Sequence, residues 1–430
     1  MLFCAACRVR VLAVLCLLLA SGGAAAGPRA YGETFVRVGH DWADAGSTLA
    51  PPPSQPLPEG DSQYRAQVSE LEQRGGPYAD ALAEPLAAWA RYYQHTGDAA
   101  RAQRLYLRAL HVVRINDGLY SQRQLPILRA LLDGYRASGD LDALDERYAY
   151  YFHLFGGGEP PFTAARLRAA LDYLRWQREA LRLELDSDDT RRLLELYQLN
   201  ARILALLEEN TEVGDNWYRE FALSQLRNLY LIDDRVQPRI EQLGLAPSTP
   251  VLGSDWSNED FHRKRLEDIQ RDSLQRGADL LRDALQRVEP GEPRERARLQ
   301  LQLADWYQWH GSVALADSHY AQVVATLSAA GEENLVQQWL GQPRELPDNG
   351  AFWQPRPLQP GQRRVVVQAS FDVSRRGRVR NVRTTVSDAQ DEAVAARLRR
   401  RLARVRFSPS YESGQAQPVA QLQRAYELID

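Results

Sequence analysis

Trp89-Ala-Arg-Tyr-Tyr-Gln-His-Thr-Gly97-Asp, followed by Ala102, Tyr106, Ala109 and Leu110, is the stretch on which the fold turns. Its apolar residues recur at spacings of three and four, the helical period, until Gly97 interrupts them. The skeleton returns as Leu132-Asp-Gly-Tyr135-Arg-Ala-Ser-Gly139-Asp with Leu144, Tyr148 and Tyr151, and as Ala304-Asp-Trp-Tyr307-Gln-Trp-His-Gly311 with Ala316, Tyr320 and Val323. Each copy places an aromatic four residues before a glycine, a small or aliphatic residue five after it, and another aromatic four later. A helix–turn–helix pair explains the pattern. The glycine ends the first helix in the left-handed conformation, the small residue lets the second approach, and the aromatics fill the groove between them.

Working outward, helical periodicity runs from Tyr64 to about Leu340 and is broken at Gly156-Gly-Gly-Glu-Pro-Pro161 and from Leu243 to Asn258. The three copies resemble the tetratricopeptide repeat (TPR), which has the same small, Tyr, Gly, Ala, aromatic, Ala skeleton. The glycines at 97 and 139 are forty-two residues apart, against the usual thirty-four, and Asn116-Asp-Gly-Leu-Tyr120 fills the added length. The match is best over 86–116, holds at 129–152 and 300–328, and is weakest over 163–240. The resemblance implies a solenoid of stacked helix pairs that binds protein partners on a concave face.

Five prolines interrupt the stretch from Gly341 to Gln362, and beyond it the period changes from 3.6 to 2. Val365, Val367, Ala369, Phe371 and Val373 alternate with polar residues, Ser374-Arg-Arg-Gly377 reads as a hairpin turn, and a second strand is expected over 378–386. Ser387-Asp-Ala-Gln390 reads as a capping box ahead of a helix with Val394, Leu398 and Leu402 on one stripe. A loop is expected over Tyr411–Gln417, then a last strand with Leu422, Tyr426 and Leu428 opposite Gln421, Gln423 and Glu427. The order is ββαβ. Phe371-Asp-Val-Ser-Arg-Arg-Gly377-Arg-Val379-Arg-Asn-Val382, Arg406-Phe407-Ser-Pro409, Gly414 and Pro418-Val419 make residues 363–429 resemble the TonB C-terminal domain. That family grips an extended segment of outer-membrane receptors as an added strand. The resemblance implies a peptide-binding edge on the last strand, carried by Val419, Gln421, Gln423, Ala425 and Glu427.

The organisation expected is therefore mainly α: a TPR-like helical repeat solenoid over 63–340, a Pro-rich linker over 341–362, and a small α+β TonB-like module over 363–430. Residues 1–26 read as an export signal, with Arg8 and Arg10, an apolar run from Val11 to Ala20, and small residues to Ala26. Residues 27–62 read as a flexible linker rich in Pro, Gly and Ala. All three cysteines, Cys4, Cys7 and Cys16, fall in the signal, so the rest of the chain has no thiol chemistry and no disulfide. The whole chain carries −3; fourteen Arg against seven acidic residues put +7 on 363–430, and the two Arg of the signal leave −12 on 27–362. That asymmetry favours two independent modules, with the Pro-rich segment touching neither; the alternative is a tail clasped electrostatically to the body.

Catalytic and metal-binding motifs are missing: no nucleophile elbow, zincin motif, P-loop or calcium loop occurs. No catalytic residue, metal ligand or cofactor is assigned. The His residues are scattered, and His310 and His319 are expected at the surface. The functional expectation is a non-enzymatic periplasmic adaptor for cell-envelope proteins, with outer-membrane receptors among the candidates and no nucleic acid. Membrane contact is expected only if the N-terminal segment stays uncleaved. The alternatives are a TonB-type energy transducer anchored in the inner membrane, and a cell-envelope enzyme.

Overall fold

A computed structural model of the chain describes residues 60–186, 189–210, 214–236, 258–352, 361, 363–412 and 414–430. The export signal and nearly all of the 27–62 linker lie outside the described residues. The first helix of the described residues, α1 (Asp61–Gly75), begins inside the stretch read as linker, and Asp61 accepts hydrogen bonds from Trp89 Nε1 at 2.8 Å and from the Tyr93 hydroxyl.

Helices follow as α2 (Ala83–His95), α3 (Ala99–Asp117), α4 (Leu125–Ser138), α5 (Leu141–Leu154), α6 (Ala164–Arg182), α7 (Asp189–Glu209) and α8 (Asp215–Arg235). After them come α9 (Asn258–Arg271), α10 (Ser273–Gln286), α11 (Pro293–Trp309), α12 (Val313–Ala329) and α13 (Glu333–Leu340). The glycine-marked pairs are α2/α3, α4/α5 and α11/α12. Gly97, Gly139 and Gly311 have φ of +85°, +73° and +78°. At each turn the residue after glycine donates to the carbonyl of the aromatic: Asp98 N to Tyr93 O at 2.9 Å, Asp140 N to Tyr135 O at 3.1 Å, Ser312 N to Tyr307 O at 2.9 Å. These are Schellman closures, which satisfy carbonyls the helix end would orphan. Asp98 and Asp140 then cap the next helix through Arg101 N and Ala143 N. The nine skeleton residues (Tyr93, Ala102, Tyr106, Tyr135, Leu144, Tyr148, Tyr307, Ala316, Tyr320) are all buried.

The α6/α7 junction uses the same closure with a different residue. Leu185 N donates to Ala180 O at 3.2 Å and Glu184 N to Leu181 O at 3.2 Å, with Glu184 at φ +56°. Helix α6 also serves two cores. Trp176 and Ala180 join the cluster built from α1 to α5, while Leu167, Leu174 and Leu181 join the cluster built from α7 to α13.

The C-terminal part is β1 (Arg364–Val373), β2 (Val379–Thr385), α14 (Glu392–Leu402), a short hairpin of β3 (Ser410–Glu412) and β4 (Gln415–Gln417), and β5 (Val419–Ile429). The main sheet is antiparallel in the order β2-β1-β5. Val365, Val367, Ala369, Phe371 and Val373 face a core with Val394, Leu398, Leu402 and Phe407. Two local readings change. Asp388, not Ser387, caps the turn before α14, accepting from Gln390 N at 3.0 Å. Tyr411–Gln417 is the β3/β4 hairpin rather than a loop, because Tyr411 is drawn into the helical core, 5.4 Å from the Tyr320 ring and 3.2 Å from Asp317 Oδ1.

The largest correction concerns residues 343–352, whose composition predicts a segment touching neither domain. They bond both. On the tail side, Arg344 and Leu346 exchange backbone bonds with Ser408 and Arg406, and Glu345 bridges Phe407. On the body side, Arg344 Nη2 lies 3.1 Å from each oxygen of Asp305 on α11, and Asn349 O accepts from Arg227 Nε on α8 at 2.7 Å. This strap is a joint, and further contacts tighten it. Gln308 of α11 donates to Arg376 O and Phe407 O at 2.9 and 3.0 Å.

Candidate protein-binding surfaces

Two places in the fold bear on binding: the outer edge of β5, whose backbone groups are of the kind that pair with an extended chain, and a largely buried polar seam that joins α4, α6, α8 and α11.

The β5 edge follows from hydrogen-bond parity. Arg363 and Asp430 exchange both backbone bonds at 3.0 Å, and the register Phe371↔Leu422 to Arg364↔Ile429 continues from there. In an antiparallel ladder the exchanging pairs alternate with pairs whose N–H and C=O point away. Even-numbered residues of β5 from Leu422 onward therefore bond β1, and the backbones of Gln423, Ala425 and Glu427 point outward. Among the described residues no strand pairs with that side. The Glu427 side chain is engaged by Arg364 at 3.0 Å.

The other two residues read as edge are placed differently. The register slips between Phe371 and Val373, so Val419 pairs with Val373 on the β1 side. Gln421 occupies the bulge at φ +52° and gives its N–H to Asp372 Oδ1 at 2.8 Å. Asp372 also accepts from Asn381 Nδ2 at 2.6 Å, at the matching left-handed residue of β2. One carboxylate thus fixes both bulges, and those donors, the Gln421 N–H first, hold its pKa below the usual value. Bulges are fixed by strand pairing across the sheet, and single-sequence alternation carries no sign of them.

The inner side of β5 rests on the strap. Arg424 Nη2 donates to Pro343 O at 2.8 Å, and the Tyr426 hydroxyl donates to Glu345.

The helix face is a seam of charged and polar side chains. Arg136 of α4 pairs with Glu179 of α6, Arg178 of α6 donates to Ser224 Oγ and Asn228 Oδ1 of α8 at 3.0 Å each, and Glu220 of α8 accepts from Arg298 of α11 at 3.0 Å. Burial raises the pKa of Asp172 to about 6 against the pull of Arg175 and Arg129, and lowers that of Arg227 to about 10. At its α11 end the seam is filled by the strap. Asp305 holds Arg344 and accepts from the Tyr320 hydroxyl at 2.7 Å, and Asn349 Nδ2 reaches Gln302 at 3.2 Å. Phe352 lies 5.1 Å from the Arg182 guanidinium and 6.1 Å from the Trp309 ring. His310, expected at the surface, instead lies 3.2 Å from Asp233 and edge-on to Trp306.

Among the described residues no group of three or more His, Cys, Asp or Glu is placed to hold a metal, and no helix is long and apolar enough to cross a membrane. The sequence matches no protein-family model and no curated protein. Among solved structures, a crystal structure of nearly identical TPR-like repeats from Podosopora anserina aligns at 12% identity over 50% of this chain and 96% of its own, with a TM-score of 0.29. A superposition that loose assigns neither partner nor activity.

Proposed function

We propose that this protein is a protein-interaction adaptor of the cell envelope, which captures an extended peptide as an added strand on β5. The observation that carries the reading is the outward backbone of Gln423 and Ala425 on the last strand of the sheet. Strand addition draws its affinity from such main-chain groups and its selectivity from the alternating side chains beside them. The ββαβ order and the hairpin motif at Phe371–Val382 support a TonB-like identity for the tail, and the glycine-closed helix pairs support a TPR-like identity for the body. The N-terminal signal pattern supports action in the periplasm. No chemistry is assigned to the chain.

The test replaces Gln423 with Pro. Its N–H points away from β1, so the substitution removes one donor from the outer edge and leaves the β1–β5 ladder intact. Synthetic N-terminal segments of outer-membrane receptors, titrated calorimetrically against residues 27–430, should bind the wild type and bind Gln423→Pro at least about tenfold more weakly, one hydrogen bond being worth roughly 1 kcal/mol and the misfit of the ring adding to it. Equal affinities with the fold intact would place the site elsewhere.

A further inference from the structure

Most deeply placed arginines among the described residues face a carboxylate. Arg136 pairs with Glu179, Arg192 with Asp145 and Asp186, Arg219 with Glu292 and Glu295, and Arg344 with Asp305 and Asp348. Arg178 departs from this pattern. It is 5% exposed, and its Nη1 reaches only the neutral groups Ser224 O at 3.4 Å, Ser224 Oγ at 3.0 Å and Asn228 Oδ1 at 3.0 Å. Among the described residues it forms no ion pair. The charges that bear on it are two more guanidiniums, Arg227 of α8 and Arg175 of α6. Arg227 forms no ion pair among the described residues either; its Nε is turned to the Asn349 carbonyl, and Glu220 is the carboxylate whose field it feels.

Burying a cation without a counter-charge costs several kcal/mol, and grouping like charges adds to that cost. A hydrophobic side chain at position 178 would pack between α6 and α8 with no such penalty. The polar fittings around Arg178 are costly as well. Ser224, Gln225 and Asn228 are all buried on one turn of α8, and Asn228 is itself oriented by Gln225 at 2.9 Å. Side chains arranged in this way hold a guanidinium in a fixed direction.

We infer that the α6–α8 junction built on Arg178 and Arg227 is an oxyanion-binding site, taking a carboxylate or phosphate group borne by a partner. The site lies on the same helix seam as the strap, and Arg227 touches both. The inference does not depend on capture at β5, since the two surfaces are tested by different variants.

The test is anion-dependent stability of residues 27–430 at constant ionic strength, with chloride replaced stepwise by phosphate or by acetate. The wild type should show a saturable rise of several degrees in its melting midpoint at millimolar anion. A rise with phosphate alone assigns a phosphate source; a rise with acetate, with or without phosphate, assigns a carboxylate source. Arg178→Met should abolish the rise while leaving a cooperative melt in chloride. Arg227→Gln should weaken the response at least tenfold in anion concentration. Two results would overturn the site: no saturable response in wild type, or an equal response in Arg178→Met.

Discussion

Replacing Arg344 with Met tests the strap at its ion pair with α11. The Arg344 guanidinium spans both oxygens of Asp305 at 3.1 Å, and the Asp305 side chain is 3% exposed. With Arg344 gone, the Tyr320 hydroxyl at 2.7 Å is left as donor to a buried carboxylate. Breaking one side of a buried pair costs about 3–5 kcal/mol. Burial already raises the Asp305 pKa, with Arg344 opposing it, so the variant raises it further. A carboxyl whose folded pKa lies above its unfolded value binds more protons when folded. Its contribution is fully present below the unfolded pKa and is lost as pH rises through the folded one. The Arg344→Met deficit should therefore be largest near pH 8 and shrink towards pH 4. Urea denaturation followed by tryptophan fluorescence reads both quantities, since Trp306 and Trp309 flank this region on α11. Adding Asp305→Asn should recover most of the loss. A deficit below about 1 kcal/mol, identical at pH 5 and pH 8 and unchanged in the double variant, would show that the pair does not hold the strap.

The same buried contacts predict that scattering from the protein gives a compact profile unchanged between low and high salt, because the docking does not rest on screened surface charges. Glu184→Gly should raise stability by about 0.5–1 kcal/mol in urea, since a left-handed residue with a Cβ at φ +56° is relieved. Gly377→Ala should lose at least about 2 kcal/mol in the same assay: its φ is +66°, and a Cβ there would lie 1.9 Å from Phe407 O. Asp172→Asn should flatten the pH dependence of stability. The Asp172 pKa stands at about 6 when folded against an ordinary 3.8, so the wild type loses up to ~3 kcal/mol as pH rises from the lower value through the higher, and the variant does not.

The helix pairs closed by glycine are legible in the sequence because one residue encodes the turn and the aromatics around it encode the groove. The α6/α7 pair is not, for two reasons. Glu184 occupies the left-handed position without the residue type that signals it, and α6 buries two faces, so no single stripe stands out between Leu167 and Leu181. The strap is hidden because proline reads as linker. Pro343 and Pro347 have no N–H to offer a ladder, yet the strap engages through the residues around them and their carbonyls: Pro343 O, Asn349 O, Leu346 N–H and the Arg344 side chain. Its partners are far off in sequence, with Arg227 and Asn349 separated by 122 residues. At the edge strand, alternation identifies the outward side chains of β5. Which backbone groups are already spent depends on the bulge at Gln421 and on Asp372 of the neighbouring strand.

What the strap changes is how the two surfaces relate. A tail on a flexible tether would sample orientations freely, and a partner engaging both surfaces would gain an effective concentration set by linker length. Here one short segment is bonded to β5 through Arg424 and Tyr426, to α11 through Asp305 and Gln302, and to α8 through Arg227. Tyr411 adds a second buried joint, one whose ring belongs to the helical core although its chain belongs to the tail. The charge asymmetry between body and tail, which by itself favours separable modules, is compatible with this arrangement because the joint is made by individually paired groups and apolar contact, not by net charge. Under the proposed strand addition, a partner on the β5 edge would meet a helix seam already set in one orientation, and selectivity would rest on that fixed geometry as much as on the edge itself.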